Sequence, residues 1–451
     1  MDLKALLLRL EALENRIQVL KKENAELKER LRKYEHPKTS ETSSLSPSTD
    51  SIEDKAKKQK TQSLRGKSKN KVGGQPGHKG NRLELRQVVD DYVFHDVEEC
   101  ELCGETLLDH PSTWIDDIRQ EIDLPPIKLR VVEHRCLQRK CTHCGKMNKG
   151  SFPKRLRKGV QYGPRLKSWM VYLQNYQMLP YARAQELLSD LVGHRLSCGS
   201  LANFQKQCAK HLNAFKLNLA QGLLHSPVIH GDETGISVNR TNHWIHVLSN
   251  SKLTWLAHHE KRGKQAMDDI GVLPFYQGHL VHDRLSSYFS LGCEHSLCNV
   301  HILRELRYVE QTYDAVWAKQ LSRLLLRAKQ KKAKDGMVSR SYYNRIMREY
   351  IQLIRPTIKA YDKTFNKTEE QRLAFALDKY KKLFLKFLER EDIPFDNNQA
   401  ERDLRMIKVK QKYPVVLDRQ SMHSILPLFV AISPPLRKMV AMFVRSCTML
   451  F

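Results

Sequence analysis

The sequence predicts a multidomain chain of mixed α/β class, on three observations. The first 35 residues carry an unbroken heptad pattern. Two Cys-x-x-Cys pairs follow, each trailed by a glycine. Near residue 226 the apolar spacing changes from helical to short strand-like runs, and after residue 297 it turns helical again.

The 451 residues suffice for about two to four domains. Lys and Arg number 77 against 50 Asp and Glu, a net charge of +27 that favours a polyanionic partner, nucleic acid first. No secretory signal opens the chain. The most apolar tail stretch, ILPLFVAI (425–432), is too short to cross a bilayer and runs into Pro434 and Pro435. A soluble, cytoplasmic protein is expected, in which Cys-x-x-Cys pairs argue for metal over disulfides.

Residues 1–36 read as a leucine zipper. Leu6, Leu13, Leu20 and Leu27 recur at seven, and so do Leu3, Leu10, Ile17, Asn24 and Leu31. One amide at an a position, here Asn24, favours a parallel pair of identical chains, so a homo-oligomer is expected. Pro37 ends the helix, and 37–91 reads as a disordered basic linker. Its run of Lys55, Lys57, Lys58, Lys60, Arg65, Lys67, Lys69 and Lys71 has almost nothing to bury and is attracted to phosphate. GGQPGHKG (73–80) lacks the lysine and hydroxyl ending of a nucleotide loop.

Residues 92–150 form the expected zinc module, with Cys100, Cys103, Cys141 and Cys144 as four thiolates around structural Zn2+. Gly104 and Gly145 let backbone amides turn towards the sulfurs. Cys136 is spare, and His134 and His143 rank behind the cysteines. A closed four-sulfur site leaves no open position for catalysis, so its role is structural or DNA-contacting. Residues 151–224 read as helical. The Gly193 break and the Ser197 and Ser200 caps fit a helix-turn-helix and plain helical packing equally well.

From residue 225 the chain carries its acids. SPVIHGDETGISV, HWIHVLSN and LTWLAHH read as a strand meander, GHLVHDRLSSY as a further strand ending at Asp283, and about 297–391 as a helical insertion. IPFDNNQAERDLRMIKVKQK caps a helix at 396–398 and places Glu401 in its first turns. Two strand-end aspartates, Asp232 and Asp283, with the helical Glu401 suit two-metal phosphoryl transfer. Clustered carboxylates repel unless divalent cations bridge them. Arg402, Arg405 and Lys408 lie on the same helix and could face phosphates. Strand alternation is expected to send Glu233 to the opposite face from Asp232.

HGDETG, LVHDRLSSY, LCNVHILREL and DNNQAERDLRMIKVKQK resemble the insertion-sequence 66 family of DDE transposases. GGQPGHKG, the paired Cys-x-x-Cys region and YGPRLKSWMVYLQNYQMLPYARAQELLSDLVGHRLSCGSL carry the same resemblance, over roughly residues 1–412. It implies a ribonuclease-H-like catalytic core over 225–412, with Asp232, Asp283 and Glu401 holding Mg2+ or Mn2+. It implies binding of double-stranded DNA at terminal inverted repeats and target, with cleavage by water and attack of the freed 3′ hydroxyl. Accessory proteins of the element are conceivable partners. Cys298 and His301, in the CNVH element, are expected to be structural rather than metal ligands.

After Lys412 the resemblance stops. Read one nucleotide earlier, the possible codons of 413–451 can encode Ile-Ser-Gly-Cys-Phe-Arg-Ser, the family's continuation, so this segment is expected to be a frameshifted tail. The alternative to an active enzyme is then a non-enzymatic DNA-binding remnant.

Overall fold

The structure is a computed structural model describing residues 3–38, 77, 83–108, 115, 117–238 and 240–411, without the side chains of 3–8, 213, 214, 406 and 408–411. The tail 413–451 and the basic run 55–71 lie outside the described residues, as does GGQPGHKG apart from Gly77. The chain divides into two units, residues 57–133 and the remainder.

Unit 57–133 has almost no regular structure among its described residues. A single antiparallel bridge joins Glu99 to Thr106. The Gln120 side chain exchanges two hydrogen bonds with the Arg86 backbone, at 2.7 and 2.9 Å. None of its described residues is buried, and Leu83 and Leu102 are 92% and 96% exposed. The described residues of the unit therefore form no apolar core to pay for ordering the backbone.

The larger unit begins with α1 (Leu3–Glu35), one uninterrupted helix of 33 residues. Its heptad side chains Leu10, Leu13, Ile17, Leu20, Leu27 and Leu31 are 48–61% exposed, an apolar stripe along most of the helix. A short hairpin, β1 (Gln138–Lys140) and β2 (Met147–Lys149), follows. Four helices come next: α2 (Pro164–Asn175), α3 (Tyr181–Val192), α4 (Cys198–His211) and α5 (Asn213–Leu224). Gly193 ends α3 in the left-handed region at φ 65°, and Ser197 caps α4 by accepting the Ser200 amide at 3.0 Å. Met170, Val171, Leu188, Leu201 and Phe204 form the core of the first three of these helices.

The expected meander is β3 (Val228–Val238), β4 (Thr241–Ser249) and β5 (Thr254–His259). After α6 (Lys264–Ile270) come β6 (His279–His282) and β7 (Glu294–Leu297). The sheet order is β5-β4-β3-β6-β7, antiparallel within the meander, with β6 parallel to β3 and β7 parallel to β6. The four-residue β7 gave no separate signal in the sequence. The main helices of the insertion are α7 (Asn299–Tyr313), α8 (Val316–Asp335), α9 (Arg340–Lys359) and α10 (Glu369–Lys379). It has its own core, including Leu306, Leu321, Leu325, Ile346, Tyr350 and Leu377. The chain then returns to the sheet through α11 (Asn398–Gln411), whose Ala400, Leu404 and Ile407 share one core with Ile245 and Val247 of β4.

The C-terminal turns of α1 rest on the insertion. The Glu29 carboxylate accepts the Tyr313 hydroxyl at 2.6 Å and the Glu369 amide at 3.2 Å, while Lys38 pairs with Glu369 at 2.7 Å.

Candidate active site

The register of β3 against β6 pairs Val228 with His279 and His230 with Val281. Two further steps along both strands bring Asp232 level with Asp283, just beyond the end of β6. Parallel neighbours at the same level project the same way, so the two carboxylates meet. Carboxylate oxygens of Asp232, Glu233 and Asp283 all lie within 4.8 Å of one another. Asp232 Oδ1 accepts the Glu233 amide at 2.8 Å and Asp283 Oδ1 accepts the Leu285 amide at 3.0 Å, which fixes one oxygen of each. His282 Nδ1 contacts the Asp283 carbonyl. Burial, together with the His295 ring beside it, pushes His282 down to about 3, so it stays neutral.

Burial is also the main reason that Asp232 binds its proton well above the usual carboxylate range. The neighbouring charges of Glu233 and Asp283 push the same way, and that of Glu401 adds to them. An acid so placed ionises readily only when positive charge arrives beside it. A divalent cation would supply that charge, and hard oxygen donors are the set that Mg2+ or Mn2+ takes.

Glu233 leaves β3 on the face expected of it but reaches further than expected. It shares a face with Gly231, against Tyr288, as alternation requires: a Cβ at Gly231 would come within 3.3 Å of the Tyr288 ring. Yet its carboxylate still reaches the aspartate pair. The physical reason is that β6 stops at His282, so no neighbouring backbone separates the two faces at this level. Arg262 binds Glu233 Oε1 through Nε at 2.8 Å and an Nη at 2.7 Å, and the Tyr288 hydroxyl donates to Oε2 at 2.8 Å. Burial raises the Glu233 pKa, as does Asp283, while Arg262 opposes both. The sequence reading missed Arg262 and Tyr288, which carry no motif.

Glu401 sits in the first turn of α11, as expected. Its Oε1 is 3.7 Å from His301 Nε2 and 3.8 Å from an Arg304 guanidinium nitrogen, both on α7. The structure therefore groups Asp232 with Asp283 and groups Glu401 with His301 and Cys298, whose donor atoms lie within 4.8 Å of one another. Glu401 is close enough for its charge to be felt at Asp232. Asn397, fully buried, links the two groups. Its side-chain nitrogen donates to the Gly231 carbonyl at 2.8 Å, its oxygen accepts from His230 Nδ1 at 2.8 Å, and its backbone amide donates to Cys298 Sγ at 3.2 Å. A cavity of about 200 Å³ is lined by Asp283, Cys298, His301 and Glu305, among others.

Of the candidate phosphate contacts, Arg402 and Arg405 are exposed on α11, Arg402 donating to Gln399 at 2.7 Å. The Lys408 side chain is outside the described residues, as are Lys55, Lys57, Lys58, Lys60, Arg65, Lys67, Lys69 and Lys71.

The two cysteine pairs adopt one local geometry. The Cys100 amide donates to the Glu105 carbonyl and Gly104 donates back to Cys100, both at 2.9 Å, with Gly104 at φ 74°. Cys141, Lys146 and Gly145 repeat the pattern at 2.8 and 2.9 Å, with Gly145 at φ 70°. A side chain at either glycine would strain that left-handed turn. The amides of Cys103 and Leu102 lower the Cys100 thiol pKa, and those of Cys144 and His143 lower that of Cys141. Each turn is thus shaped for a thiolate and fits zinc. Cys100 and Cys103 belong to one unit, Cys141 and Cys144 to the other. The spare Cys136 donates to the Gly150 carbonyl at 2.7 Å.

Comparison with known proteins agrees with these features. Residues 98–145 match the zinc-finger binding domain of transposase IS66, which spans all four cysteines. Residues 3–84 match a family of unknown function, DUF6444. No curated protein matches the chain. Among solved structures, it is similar at 17% identity to a chain from the cryoEM structure of the simian T-cell lymphotropic virus intasome in complex with PP2A regulatory subunit B56 gamma. That similarity covers 45% of this chain and 74% of that chain at a TM-score of 0.15, too low to carry an argument. No helix among the described residues is long and apolar enough to cross a membrane. The transposase IS66 family matches residues 159–421, well over half of the 451, and includes Asp232, Asp283 and Glu401. The chain belongs to the IS66 family of transposases.

Proposed function

We propose that the chain binds the ends of an insertion sequence and catalyses metal-dependent DNA cleavage and strand transfer through Asp232, Asp283 and Glu401. The observation that carries this reading is the meeting of Asp232, midway along β3, with Asp283, just past the end of the parallel neighbouring strand β6. The sheet order supports a ribonuclease-H-like core, with a three-stranded meander and two strands added parallel to its first.

Asp232 and Asp283 would hold the cations, with Glu401 completing the set after leaving His301 and Arg304. Bound Mg2+ or Mn2+ supplies activation of the attacking water or 3′ hydroxyl and stabilisation of the leaving oxygen. Glu233, neutralised by Arg262, shapes the floor of the site. Arg304, once released by Glu401, could meet a phosphate oxygen, and Arg402 and Arg405 could track the backbone. Zn2+ on Cys100, Cys103, Cys141 and Cys144 would order a region whose described residues form no core, and α1 would pair two copies of the chain.

The test is Mg2+-dependent nicking of terminal-repeat DNA by the wild type and by Asp232→Asn. Nicking is expected from the first and not the second, and equal nicking by both would remove Asp232 from catalysis. A second reading, a DNA-binding remnant without activity, draws on the pairing of Glu401 with His301 and Arg304 instead of the aspartates. Tight, salt-sensitive binding by the wild type, without nicking at any Mg2+ or Mn2+ concentration, would select it.

A further inference from the structure

Cys298, His301 and Glu401 form a second cluster beside the aspartate pair, and its chemistry differs. A sulfur, an imidazole nitrogen and a carboxylate oxygen come from the N-cap and first turn of α7 and the first turn of α11, within 4.8 Å of one another. Cys298 is 2% exposed. His301 Nδ1 and Glu401 Oε1 are both buried with no hydrogen-bond partner. Glu401 Oε1 has only the long ion pairs to His301 Nε2 and Arg304, at 3.7 and 3.8 Å, and a buried His301 Nδ1 without a partner is costly, so the cluster marks a place where something else binds.

We propose that Cys298, His301 and Glu401 form a site for a borderline transition metal, Zn2+ in the first instance, distinct from both the four-cysteine module and the aspartate pair. Mixed sulfur, nitrogen and oxygen donors select Zn2+ over Mg2+, which takes oxygen alone. A tetrahedral zinc holds its ligand atoms roughly 3.5 Å apart, so closing the cluster needs adjustments of about 1 Å. The 200 Å³ cavity lined by Cys298 and His301 gives access and leaves room for water as a fourth ligand. On binding, the Cys298 thiol releases its proton to solvent and its sulfur bonds the metal as thiolate. Arg304 competes for Glu401 from 3.8 Å and is displaced as the metal arrives. A metal here holds Glu401 on the α7 side. Any effect on DNA cleavage rests on the proposed function, whereas binding itself does not.

The experiment is elemental analysis of the full-length protein after equilibration with buffered free Zn2+. Wild type is compared with Cys298→Ser, His301→Ala and the near-isosteric Glu401→Gln. Each variant is expected to hold about one zinc fewer per chain than wild type. Removing Cys100 and Cys103 should remove a different zinc, so that this loss adds to the first. Zinc content in Glu401→Gln equal to that of wild type would overturn the site, even if the cysteine or histidine variant failed to fold. Nicking is a separate readout: its presence or absence leaves the zinc count, and so the site, untouched.

Discussion

Asn397 donates to the carbonyl of Gly231 at 2.8 Å, so the residue just before α11 is bonded to the strand residue just before Asp232. The same side chain accepts from His230, which places a proton on His230 Nδ1. Two acids 169 positions apart in the chain are thereby registered through one buried amide.

Asn397→Ala would leave the Gly231 carbonyl and the His230 N–H unpaired in a fully buried place. At about 1–3 kcal/mol per orphaned group, a loss of roughly 2–4 kcal/mol is expected. A fall in the urea midpoint with the m-value unchanged is the measurement. A change below about 0.5 kcal/mol would mean that the amide does not join these elements.

Asp232→Asn should move activity and stability in opposite directions. Nicking is expected to fall by at least about two orders of magnitude, near 3 kcal/mol of barrier. In chelator at neutral pH the variant should be more stable than wild type, because the amide escapes the cost of either burying a carboxylate charge or protonating it. The sign follows from linkage. The folded pKa of Asp232 lies well above the 3.8 of an exposed aspartate, so between the two values the folded state binds more protons. That contribution is full below 3.8 and is lost as pH rises through the folded pKa. Thermal unfolding against pH should show a smaller decline in the variant than in wild type.

Mn2+ or Mg2+ should raise the unfolding temperature of the wild type by several degrees. At a hundredfold excess over Kd the stabilisation is about 2.7 kcal/mol. The shift should shrink as pH falls, because the cation competes with the Asp232 proton, and should be nearly absent in Asp232→Asn. An equal shift in both proteins would place the ion elsewhere.

Leu20→Glu on α1 puts a charge in the middle of the exposed heptad stripe. If that stripe pairs two chains, the variant should sediment as a monomer at concentrations where the wild type is a dimer. Unchanged mass would assign the stripe to another partner.

A strong zinc chelator should leave the helical insertion intact and loosen residues 57–133, which bury none of their described side chains. Limited proteolysis, read by mass spectrometry, should show cleavage within that unit rising at least about tenfold. No change would argue that the unit is ordered without metal.

Period and punctuation made much of this architecture legible in advance. The 33-residue α1 follows from its heptads, the meander from alternating runs divided by turns, and the α3 terminus from Gly193. Asp283 and Glu401 stood out because each falls at an element end beside apolar residues; Asp232 was expected to end its strand as well, but β3 runs on through it to Val238 because its pairing with β4 continues. The four-residue β7 escaped notice because a strand that short has no periodicity to display. Arg262, Tyr288 and Asn397 escaped for another reason: their partners are 29, 55 and 166 residues away in the chain.

The sequence by itself determined the elements, the charge and the family, because these depend on local spacing and residue type. Only the tertiary structure decided which acids touch. It brought Glu233 into the aspartate pair, since β6 ends at His282, and turned Glu401 towards His301 and Arg304. Contacts of that kind depend on where strands stop and how a returning helix docks, and these are set by packing over the whole domain.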